Sequence, residues 1–97
     1  MSGDKEKNMA ERTVEIASKH GLHARPATLF TQTVAKSGVP VQISKASGRT
    51  VNAASILGVI SLGIEHGDTV TLVSEDPASD ALLDELAALL ASDLDAE

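Results

Sequence analysis

Ninety-seven residues allow one domain with one core, because a chain this short buries only about two thirds of its unfolded surface. An apolar share of 42%, a charged share of 23% and a single aromatic residue, Phe30, exclude global disorder, a coiled-coil rod and a strand surface that stacks nucleic-acid bases. The net charge is −6 and cysteine is absent, which removes disulfides, zinc-thiolate sites and thiol chemistry and fits a reducing cytoplasm.

Residues 1–8 (MSGDKEKN) are polar, lack the apolar centre of a signal peptide and precede a second methionine, Met9. They are expected to be a disordered extension ahead of a domain spanning residues 9–97. Thr13 to Ala17 (TVEIA) alternates as a half-buried strand does. His23 to Ser37 reads as a helix: Ala27, Phe30 and Val34 fall on one face, and Gly38 stands at its end. Val41 to Ser44 alternates again, and the turn Lys45-Ala46-Ser47-Gly48 leads into a short strand at Arg49 to Asn52, which makes a hairpin. Ser55 caps a brief helix through about Leu62, weakened by Gly58 and ended by Gly63. Thr69 to Ser74 (TVTLVS) is the clearest strand. Asp76-Pro77 has the chemistry of a helix start, and Leu82, Leu86, Leu89 and Leu90 supply that last helix with an apolar stripe. The order β-α-β-β-α-β-α predicts an α+β open-faced sandwich with helices on one face of an antiparallel sheet. The most apolar stretch, Ala53 to Ile64, is too short and too broken to span a membrane.

Charge is unevenly placed. No carboxylate occurs between Glu15 and Glu65, whereas that stretch holds Lys19, Arg25, Lys36, Lys45 and Arg49 with His20 and His23. An acid-free half on an acidic protein points to a local anionic ligand or an acidic partner. Five bases over that stretch, with Phe30 the single aromatic, are too sparse for nucleic acid.

The heptapeptide Gly21-Leu22-His23-Ala24-Arg25-Pro26-Ala27 carries the chemistry. Pro26 falls in the first helical turn, where a missing N–H costs little. The free N–H groups and the helix dipole there make a site for a phosphate, and the Arg25 guanidinium can pair with its oxygens. The same positive potential keeps a nearby imidazole neutral and nucleophilic, then stabilises the anionic phosphoryl group it receives. His23 is the candidate acceptor and Arg25 its aid, with Ala24, Arg25 and Ala27 the phosphoryl-binding residues. A solvated surface histidine beside a solvated arginine is the alternative. There is no Walker loop, kinase loop or carboxylate cluster for magnesium near this site, so the phosphoryl group has to come from another protein. That describes a carrier, not an enzyme turning over alone. His20 and His23 leave a zinc site incomplete, so neither metal nor cofactor is expected.

GLHARPA, followed by NAASILGVISLG at residues 52–63, resembles the HPr family, the histidine-containing phosphocarriers of the bacterial phosphoenolpyruvate:sugar phosphotransferase system. The resemblance runs from about Met9 to the C-terminus. It implies a four-stranded antiparallel sheet with three helices on one face, and phosphorylation of His23 through Nδ1 with Arg25 assisting. It implies phosphorylated enzyme I as donor, and enzyme IIA components of sugar permeases as acceptors, in the cytoplasm. It further implies a docking surface of Ala24, Thr28, Ile56, Leu57 and Ile60, on a protein expected to be monomeric. Ser55 matches a position where some relatives carry a regulatory phosphoserine, which brings a serine kinase or a transcription regulator into view as further partners. His20 stands where many relatives have a small polar residue.

Overall fold

Thr69–Ser74 is the strand that organises the sheet. In a computed structural model that describes residues 10–22, 24–45, 48–76 and 79–92, it is hydrogen-bonded on both sides. The elements are β1 (Ala10–Glu15), α1 (Ala24–Ser37), β2 (Gln42–Lys45), β3 (Thr50–Asn52), α2 (Ile56–Ser61), β4 (Thr69–Ser74) and α3 (Asp80–Leu90). The sheet runs β1-β4-β2-β3 with every neighbouring pair antiparallel. The open-faced α+β sandwich of four strands and three helices is therefore the fold.

Alternation decides which side of the sheet is covered. In β4, Val70 and Leu72 are fully buried while Thr69 and Thr71 face the other way. The register places Thr13 beside Thr71 and Thr71 beside Ser44, so hydroxyls line the uncovered face. On the covered face Phe30 and Val34 of α1, Val59 of α2, and Leu83, Leu86 and Leu90 of α3 close over Ile43 and Leu72. Burying such side chains contributes roughly 1.5–3 kcal/mol each, which is what holds the helices to the sheet. None of the helices among the described residues is long and apolar enough to cross a membrane.

Two elements differ from the sequence expectation by more than one residue. The first strand is Ala10–Glu15 rather than Thr13–Ala17, because its length is set by β4, from Ala10↔Ser74 to Glu15↔Thr69. Beyond that point Ile16 donates its N–H to the Asp68 carbonyl, and Ala17 donates to Leu90 at the end of α3. The last helix starts at Asp80, not at Asp76-Pro77. The Asp76 carbonyl accepts from the Ser79 N–H in a separate turn, and the helical ladder begins with Leu83 donating to Ser79. Pro77 lies outside the described residues. The stripe of that helix is Leu83, Leu86 and Leu90, with Leu82 and Leu89 on its half-buried flanks.

Candidate functional site

Residues 16–22 run from β1 to the start of α1, and hydrogen bonds to the Gly63–Asp68 turn fix their path. Ile16 N–H donates to the Asp68 carbonyl and Gly67 N–H to the Ile16 carbonyl, both at 2.9 Å, and Leu22 N–H donates to the Ile64 carbonyl at 3.0 Å. His66 Nδ1 lies 3.2 Å from the Ser18 carbonyl. Gly21 has φ +75°, and a Cβ there would overlap the Ile64 carbonyl oxygen and lie 2.6 Å from Glu65 Cα. Only glycine fits both that conformation and that approach. Leu22 is buried in the core. The chain thus reaches the helix from a braced position.

His23 lies outside the described residues. Immediately after it, α1 begins at Ala24, with no acidic residue in its first turn. Ala24 and Arg25 are exposed, whereas Pro26 and Ala27 are buried. Ala27 is fully buried and belongs to the core, so of the three sequence-predicted phosphoryl-binding residues only Ala24 and Arg25 are open to solvent. Pro26 is the third residue of the helix, where its missing N–H breaks no helical bond. Thr28 Oγ donates to the Ala24 carbonyl at 2.8 Å, which occupies the hydroxyl within the helix.

The short helix α2 packs against α1. Ser55 is its N-cap, with extended backbone and its Oγ accepting from Gly58 N–H at 3.0 Å. Leu57 is 78% exposed and Ile60 43%. They stand three apart and share a face that is open to solvent. Ile56 is half-buried against the core, so its duty is divided between packing and surface. Leu29 on α1 is also exposed, a surface leucine that sequence reading missed. The signal was available: Leu29 is adjacent to Phe30 and so lies off the stripe of Ala27, Phe30 and Val34.

The acid-free half is less uniformly basic in space than in sequence. Lys45 Nζ pairs with Asp68 Oδ2 at 3.2 Å, so an acid from beyond Glu65 folds back onto it. The Asp68 carboxyl is held below its ordinary range, first by the Glu65 N–H it accepts and then by Lys45. An Arg49 N–H donates to Ser61 Oγ at 3.3 Å, from the residue before β3 to the last residue of α2. Lys36 sits in the last turn of α1, where a cation complements the dipole.

Residues 10–92 match the family described as the PTS HPr component phosphorylation site. The chain is 46% identical over 87 residues to the phosphocarrier protein HPr of Streptomyces coelicolor, covering 90% of this chain and 94% of that one. Among solved structures, an HPr from Thermoanaerobacter tengcongensis superposes with a TM-score of 0.82 at 40% identity, over 91% of this chain and 98% of its own. Crh, the Bacillus subtilis catabolite repression HPr, matches with a TM-score of 0.62 at 38% identity, over 84% of this chain and 95% of its own.

Proposed function

The chain belongs to the HPr family of phosphocarriers, and from that premise we propose that it relays a phosphoryl group from phosphorylated enzyme I to enzyme IIA components of sugar permeases through a phosphohistidine at His23. In the loading step the neutral imidazole Nδ1 of His23 attacks phosphorus. A nitrogen–phosphorus bond forms as the bond from phosphorus to enzyme I breaks, and the electron pair of that bond stays with enzyme I. The unloading step is the same exchange run onto an enzyme IIA. Because both are displacements on a phosphoryl group whose charge spreads over its oxygens, positioning and electrostatic stabilisation supply most of what a carrier can contribute.

The observation that supports this reading most directly is the first turn of α1. It follows a braced Gly21-Leu22, carries no acid, and presents Arg25 to solvent beside the helix N–H groups. Ala24 then holds the phosphoryl group through its backbone, and Arg25 neutralises its oxygens, while the buried Ala27 seats the helix turn in the core. Leu57 and Ile60, with Thr28, Ala24 and the outer part of Ile56, form the surface on which both partners dock. Ser55 is the regulatory position. The carrier acts in the cytoplasm as a single copy and needs no cofactor.

Incubation with enzyme I and phosphoenolpyruvate, followed by intact-mass measurement, tests the proposal. One added phosphoryl group, labile in acid and stable in base, is expected on the wild type and none on His23→Ala. Full labelling of His23→Ala overturns the assignment. The likeness to Crh, a catabolite repression HPr, favours a second reading: a regulatory module that docks on a transcription factor or an enzyme. Under that reading the same incubation leaves the wild type unlabelled.

A further inference from the structure

We propose that Lys45 is a positioning residue for phosphoryl transfer, acting on the His23 segment through the Gly63–Asp68 turn; this rests on the carrier reading above. Lys45 is the last residue of β2, and its side chain reaches two points of that turn. Nζ donates to the Gly63 carbonyl at 2.9 Å and pairs with Asp68 Oδ2 at 3.2 Å. The same Oδ2 accepts from the Glu65 N–H at 2.8 Å, and Asp68 N–H donates back to the Glu65 carbonyl at 2.9 Å. One ammonium therefore spans the turn from its first residue to its last.

The turn needs such a clasp. Gly63 and Gly67 both have positive φ, +64° and +87°, so its backbone is drawn from the residues with most freedom to lose. What the turn supports is the loop before the phosphoryl acceptor. Gly21 lies so close to Ile64 and Glu65 that a Cβ has no room, and the Leu22 N–H is held by the Ile64 carbonyl, one residue before His23 in sequence. Ile16, Ser18 and the turn's Gly67, His66 and Asp68 complete the seam. Displacing Ile64 thus displaces Leu22. A change far from the reacting atoms that misplaces them by about 1 Å can slow a transfer by about a hundredfold.

The side chains of Lys45 and Asp68 are 25% and 30% exposed, so the pair is accessible to substitution without opening the core. Lys45→Met keeps the alkyl stem and removes the charge. The test follows transfer from phosphorylated enzyme I by rapid quench, with the wild type as first arm and amide exchange at Leu22 as the second readout. Lys45→Met is expected to lower the maximal rate on the order of ten- to a hundredfold, with the half-saturating carrier concentration unchanged. Its Leu22 amide exchanges faster while the protein stays folded by circular dichroism, and Lys45→Arg restores most of the rate. Asp68→Asn leaves the Lys45–Gly63 bond in place and gives a smaller loss, which keeps the test open where Lys45→Met fails to fold. Wild-type rates in both variants, or a loss that appears only in the half-saturating concentration, overturn the positioning role. A wild type that accepts no phosphoryl group overturns the carrier reading itself, and the proposal with it.

Discussion

Arg12 Nε meets Asp84 Oδ1 at 2.7 Å, joining β1 at the edge of the sheet to the middle of α3. A second carboxylate, Asp80, stands 3.5 Å from the same guanidinium. The hydrogen bond from Arg12 holds the Asp84 carboxyl below its ordinary value of 3.8, as Glu65 N–H and Lys45 do for Asp68. Both groups are lowered on folding, so their stabilisation is complete above the ordinary value. It is lost as pH falls through the folded values. Asp84→Asn and Asp68→Asn should therefore each narrow the stability gap between neutral and acid solution. Urea unfolding from neutral pH down to about pH 2 checks this, with curves that converge on the wild type at the acid end. Unchanged curves at neutral pH would show that the pairs contribute nothing there.

Gly21→Ala should destabilise the fold by about 2–4 kcal/mol, combining a left-handed backbone with an overlap on the Ile64 carbonyl. A Cβ at Gly38, which also has positive φ, meets nothing within 4 Å, so Gly38→Ala should cost only the backbone part. Chemical denaturation of the two variants side by side separates the two contributions. Equal losses would mean that the contact with Ile64 does not matter.

Arg25→Glu should slow both loading from enzyme I and unloading onto an enzyme IIA, because it replaces the cation at a moving charge with an anion. Its thermal midpoint should not fall. A glutamate at the second position of α1 meets the positive end of the helix dipole. Normal transfer rates in rapid-quench measurements would reduce Arg25 to a solvated neighbour.

Leu57→Ala should change stability by no more than about 0.5 kcal/mol, since that side chain is mostly in water. If Leu57 docks on enzyme I, the same change raises the dissociation rate. Surface plasmon resonance with immobilised enzyme I reads that rate directly, and an unaltered one removes Leu57 from the docking surface.

Ser55→Asp should preserve α2, because an aspartate accepts from the Gly58 N–H as well as a serine does. Placed inside an otherwise acid-free segment, it should lower the association rate with enzyme I, as raised salt does. Stopped-flow association at two ionic strengths tests both. A rate indifferent to salt and to Ser55→Asp would mean that shape and apolar contact alone drive docking.

Features fixed by local chemistry were legible in the sequence. Ser55 at the head of α2, Gly38 after α1 and the alternation of Thr69–Ser74 each announce themselves within a few residues. Features fixed by a distant partner were not. The extent of β1 depends on where β4 ends, and the start of α3 depends on Asp76 closing a turn with Ser79 instead of capping a helix. In the site, the heptapeptide and the exposed Leu57 and Ile60 could be found by reading. The Lys45–Asp68 clasp could not, since nothing near Lys45 in the sequence reveals which acid folds back to it.

The strand order has a consequence for how the molecule is made. Among the described strands, only β2 and β3 pair with a neighbour in sequence; β1 and β2 both wait for β4, which comes after most of the chain. Until Thr69–Ser74 has emerged, the growing polypeptide can form the β2–β3 hairpin but not the four-stranded sheet, and Arg12 and Val14 have no strand to join. Assembly therefore cannot proceed piece by piece from the N-terminus. It is a late, collective event dominated by long-range pairing, which is the slow kind. A nascent chain halted before Thr69 holds the whole heptapeptide and the Gly63–Asp68 turn beside it, and yet lacks the strand on which the sheet closes.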